Sequence, residues 1–101
     1  MLLESFGLDQ KIVNCIDNGL QVLGESAKYA LYQYIEKNFR LKKDEIPQHP
    51  EVFKQAITSI LGEEVSKLME ELIIQRMTQT FKLKHKSKLT FVEVVQAVKS
   101  R

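Results

Sequence analysis

Residues 50–73 read PEVFKQAITSILGEEVSKLMEELI, and this stretch decides the fold. In its first half the apolar side chains recur three and four residues apart, which is the spacing of one helix face. Pro50 suits the first position of such a helix and Gly62 suits its end. A second helix begins at Glu63, and its apolar stripe also follows helical spacing. The stretch therefore predicts two helices that meet at a glycine corner, with core faces made of Val52, Phe53, Ala56, Ile57, Ile60 and Leu61, then of Val65, Leu68, Met69, Leu72 and Ile73.

In its C-terminal half, the second of these helices carries another apolar stripe, which is rotated around the helix by more than a third of a turn from the first stripe. This stripe needs a covering element. Thr90 and Glu93 have the spacing of a capping box, which predicts a last helix from about Phe91 to Lys99, although its β-branched valines leave a strand as the alternative. Either that last segment folds back onto the stripe, or the stripe meets a protein partner or a second copy. The candidate interface residues are Ile74, Met77, Phe81 and Phe91.

Upstream, helical spacing predicts a first helix over residues 8–23, although Asp17-Asn18-Gly19 is also a turn signal. Gly24 forms a second glycine corner, and a helix from Ser26 to about Phe39 follows it. The apolar residues of that helix cover nearly half of its circumference, which predicts a central helix with neighbours on two sides. These residues are Ala27, Ala30, Leu31, Tyr34, Ile35 and Phe39.

Residues 40–48 connect the two halves, and Pro47 with Pro50 excludes a helix across Ile46–His49. The whole pattern predicts an all-α fold in a single domain over residues 1–101. We expect a compact bundle of about five helices, made of two helical hairpins with glycine corners and a C-terminal helix over residues 90–101. The two hairpins also resemble each other faintly at an offset of 38 residues, which either duplication or convergence would explain.

Composition limits the classes of function. The chain has 101 residues, 44% of them apolar, and a single cysteine, which is typical of one globular domain without disulfides and not of a large enzyme. Cys15 lies in a periodic apolar stretch and is predicted to be a core residue of a protein in a reducing compartment. With no signal peptide or membrane-spanning stretch in the sequence, we expect a cytoplasmic protein that does not enter the membrane.

The residues that carry chemistry are scattered. His49, His85 and Cys15 are too far apart along the chain to make a metal motif, and the four glycines stand singly, so there is no phosphate-binding loop. No local signature of nucleophilic catalysis is present. We therefore predict no catalytic residue, no cofactor, no metal and no small-molecule substrate.

A basic segment gives the alternative function. Residues 82–101 carry six basic side chains and one acidic one, whereas residues 1–81 carry nine basic and twelve acidic. The lysines concentrate in a predicted loop over residues 82–89, which could neutralise phosphate groups or could simply be a solvated loop. A non-catalytic protein-interaction module is the leading hypothesis and a nucleic-acid-binding regulator is the alternative. The candidate phosphate contacts are Lys82, Lys84, His85, Lys86, Lys88 and Arg101.

Four segments carry a family resemblance: Gly24-Glu-Ser-Ala-Lys-Tyr-Ala-Leu-Tyr32, Asp44-Glu-Ile-Pro47, Pro50-Glu-Val-Phe53 and Ile60-Leu-Gly-Glu63. Over most of residues 10–100 the chain resembles the archaeal Nitrosopumilus output domain family, fifth type, formerly a domain of unknown function. The resemblance implies a cytosolic helical module for signal output or protein interaction. It transfers no catalytic or binding residue, because the matching positions are glycine corners, prolines and apolar anchors.

Overall fold

The computed structural model describes residues 2–83 and 89–100, which form five α-helices, two 3-10 helices and no strand. The predicted all-α fold is confirmed, and so are both ends of the third helix, at Pro50 and Gly62, and the start of the fourth helix at Glu63. The last segment is a helix and not a strand, and the Thr90–Glu93 capping box is present. The α-helices are α1 (Leu2–Leu20), α2 (Glu25–Phe39), α3 (Pro50–Leu61), α4 (Glu63–Phe81) and α5 (Phe91–Lys99).

Helix α4 is the centre of the bundle, with α1, α3 and α5 packed around it. Gly19 of α1 lies against Ile73, and the Cys15 thiol donates a hydrogen bond to the Thr80 hydroxyl, with 3.4 Å between Sγ and Oγ1. Because later residues of α4 meet earlier residues of α1, the two helices run antiparallel.

Helix α2 is peripheral, so its predicted central position is wrong. It buries Leu31 and Ile35, whereas Ala27, Ala30 and Tyr34 of the predicted apolar arc are exposed. The arc is wide because alanine and tyrosine count as apolar in a periodicity argument. Both residue types are tolerated at the surface, so a wide arc does not require two neighbours.

Helix α1 begins earlier than predicted, at Leu2, and ends at Leu20, after which Gln21–Leu23 form a 3-10 helix. The turn signal at Asp17-Asn18-Gly19 does not break the helix. Gly19 is buried within the helix, where a Cβ atom would lie 2.5 Å from Cγ1 of Ile73. Glycine is therefore needed here for the close approach of two helices and not for a turn.

Residues 40–48 contain more helix than the prolines predicted. Lys43–Gln48 form a 3-10 helix that contains Pro47, so the prediction that helix is excluded from Ile46 onward is wrong for residues 46–48. A short 3-10 helix tolerates proline because few of its amide groups have to donate internally. Ile46 is fully buried, and this segment packs against α1.

Polar contacts fix both ends of α5. At its start the backbone N–H of Phe91 donates to Glu70 Oε1 of α4, at 3.3 Å, and the Phe91 ring lies 5.5 Å from that of Phe53. At its end Lys99 Nζ donates to the Pro47 carbonyl at 3.2 Å and pairs with Asp9 Oδ1 at 3.6 Å. These contacts join α5 to α1, α4 and the second 3-10 helix.

Candidate protein-interaction surface

The structure does not leave the predicted interface open to a partner. Met77 and Phe91 are fully buried, and Ile74 and Phe81 are half-buried against the same core. The prediction of an exposed apolar surface at these four residues is therefore wrong. The physical reason is that α5 has its own apolar face, with Val94, Val95 and Val98 at most 2% exposed, and packs it against α3 and α4.

The structure describes little of the candidate phosphate-binding segment. Lys82 is exposed and ends α4 in the left-handed conformation, with φ of 53°. Lys84, His85, Lys86, Lys88 and Arg101 lie outside the described residues. Lys99, the other basic residue of this region, is engaged by Pro47 and Asp9. Phosphate binding by this segment stays a prediction from the sequence.

Exposed apolar side chains occur on a different part of α4. Leu68 is 52% exposed and Val65 is 40% exposed, although helical spacing places both in the predicted core stripe. Val22, in the 3-10 helix that follows α1, is 67% exposed. We name these three residues, Val22, Val65 and Leu68, the end patch.

The antiparallel pairing of α1 and α4 places the three residues at the same end of the bundle. Gly19 lies against Ile73, and Val22 continues the chain beyond Gly19 in the direction of the start of α4. Val65 and Leu68 lie on α4 before Ile73. Val65 and Leu68 are neighbours on the surface of α4, and Val22 lies on another element at the same end. Single exposed apolar side chains are ordinary on protein surfaces, whereas neighbouring ones are typical of interaction sites.

Leu68 has two kinds of neighbour on the surface of α4. Residues three and four apart are adjacent on a helix, so Val65 and Leu72 lie on one side of Leu68 and Glu64 and Glu71 on the other. Both glutamates are exposed, and neither forms an ion pair among the described residues. Lys67, three residues after Glu64 and four before Glu71, is exposed beside both glutamates, so this edge of the end patch carries charges of both signs.

A polar cluster centred on Asp17 joins α1, α2 and the second 3-10 helix. Asp17 pairs with Lys28 Nζ at 2.8 Å and with Lys43 Nζ at 3.2 Å, and it accepts a hydrogen bond from the Tyr32 hydroxyl at 3.1 Å. Lys28 also donates to Gln21 at 2.6 Å. Since the Asp17 carboxylate is already engaged by three groups of the chain, this cluster holds helices together and offers no free base.

The pKa values of the cluster follow from these contacts. Burial raises the pKa of Asp17, but hydrogen bonds from Lys28, Lys43 and Tyr32 outweigh it, and the net pKa lies below the ordinary aspartate value. The hydrogen bond to Asp17 raises the pKa of Lys28. Burial, together with the Asp17 charge, raises the pKa of Tyr32 far above its ordinary value.

Three polar side chains of a groove between α3 and α4 are also engaged within the fold. A groove of about 440 Å³ at the α3–α4 corner is lined by Thr58, Ser66 and Glu70, among others. The Thr58 hydroxyl donates to the Lys54 carbonyl and is hydrogen-bonded to Ser66, while Glu70 binds Lys54 Nζ and the Phe91 amide. Within residues 2–83 and 89–100, no group of three potential ligands could hold a metal ion.

Cys15 is a core residue, as its periodicity predicted. It is 2% exposed, and burial raises the pKa of its thiol despite the hydrogen bond to Thr80 and the charge of Arg76. A buried, protonated thiol is a weak nucleophile. In the part of the chain that the structure describes, no helix is sufficiently long and apolar to cross a membrane.

Comparisons of this chain with family models, with curated proteins and with solved structures find no match. The resemblance to the archaeal output domain family therefore stays a prediction.

Sequence reasoning missed the end patch because it assigned every apolar residue of a helical stripe to the core. A signal was nevertheless present, since α4 carries two stripes that together cover more of its circumference than its neighbours can bury. Helical spacing alone does not tell which stripe stays exposed. That depends on where α1 and α5 pack.

Proposed function

We propose that this chain is a non-catalytic protein-interaction domain that binds a protein partner through the end patch. The observation that carries the proposal is the exposure of Val65 and Leu68 on one face of α4, with Val22 at the same end of the bundle. Large apolar side chains left in water at one place favour association, because a partner that covers them removes apolar surface from solvent.

The polar contacts between the helices are consistent with this proposal. The buried polar groups described above are used within the fold, at the Asp17 cluster and around Glu70. The resemblance to a family of output domains, stated from the sequence, points in the same direction.

Selection of binding peptides tests the proposal. Random peptides displayed on phage are selected against the wild-type chain, and the affinity of the selected peptides is then measured for Leu68→Ser. We expect a loss of about tenfold or more, because burial of a leucine side chain contributes about 1.5–3 kcal/mol and each 1.4 kcal/mol is tenfold. Leu68 is exposed, so its replacement leaves the core intact.

Tyr29→Ser is the matched control, because Tyr29 is another exposed large side chain, 64% accessible, on α2. The control should bind the selected peptides as tightly as the wild type. If no peptide is selected, or if the selected peptides bind Leu68→Ser with unchanged affinity, the proposal is wrong.

A further inference from the structure

We draw no further inference here: the strongest candidate, the apolar face of α4 at Val65, Leu68 and Leu72, has charges of both signs beside it, and nothing in the part of the chain that the structure describes shows what covers it.

Discussion

Asp17 connects three elements through one carboxylate, and its contacts make stability depend on pH. Its pKa is below the ordinary value in the folded chain, because the hydrogen bonds from Lys28, Lys43 and Tyr32 outweigh burial. In the unfolded chain an aspartate titrates near pH 3.9. The contribution of Asp17 is therefore complete above that pH and is lost as the pH falls through the lower folded value.

We predict that Asp17→Asn lowers the free energy of unfolding at pH 7 by about 1 kcal/mol, because surface ion pairs and their hydrogen bonds are worth about this much. The variant should also lose less stability than the wild type between pH 5 and pH 3. Urea denaturation at both pH values measures the difference. Asp44→Asn, at an exposed aspartate without an ion pair among the described residues, should keep the wild-type pH dependence. An unchanged acid response of Asp17→Asn would show that the contacts of Asp17 do not stabilise the fold.

At the level of elements, the close packing of α1 against α4 depends on the glycine at position 19. Gly19 permits the close approach, because a Cβ atom there would lie 2.5 Å from Cγ1 of Ile73 and 3.0 Å from its backbone nitrogen. Contacts this short with backbone atoms cannot be relieved by a side-chain rotation alone. The two helices would have to move apart.

We predict that Gly19→Ala destabilises the fold by about 1–3 kcal/mol, the usual cost of overpacking, although alanine favours helix. Gly7→Ala is the control on the same helix, because a Cβ atom at Gly7 would meet nothing within 4 Å, and it should stabilise by up to about 1 kcal/mol. The midpoints of urea denaturation decide between the two effects. Stabilisation of the Gly19→Ala variant would mean that α1 and α4 are not in close contact.

The sequence predicted where the helices begin and end better than it predicted which elements pack against them. Local signals define α3 between Pro50 and Gly62 and α5 behind its capping box, because those signals act within a few residues. The peripheral place of α2 and the exposure of Leu68 depend on contacts between distant parts of the chain. Apolar spacing is the same on a covered and an uncovered helix face, so it could not distinguish them.

For the whole molecule, the distribution of charge favours the protein-interaction domain over the alternative, a nucleic-acid-binding regulator. The chain has a net charge of only +2, and the lysines of residues 82–88 follow a body with more acidic than basic side chains. Four lysine contacts to phosphate would change log affinity by about 3.6 per unit of log salt, at about 0.9 for each contact. Binding of this kind is weak at physiological ionic strength.

We therefore predict that this chain does not bind labelled duplex DNA near physiological salt, and that any binding is confined to low salt. Fluorescence anisotropy over a salt series measures this. A double variant, Lys84→Glu and Lys86→Glu, measures how much the basic segment contributes to DNA binding, since both substitutions lie within that segment. DNA binding that persists at physiological salt and is lost in this variant would favour the nucleic-acid-binding regulator over the protein-interaction domain.

The antiparallel pairing of α1 with α4 also has a consequence for the nascent chain. Helix α1 leaves the ribosome before α4, and much of its buried face, which includes Ile12, Ile16 and Leu20, packs on that later helix. Until α4 emerges, that face has no permanent cover and can attract chaperones or other nascent chains. Because α1 precedes α4 along the chain, the apolar face of α1 stays exposed during synthesis until α4 has emerged.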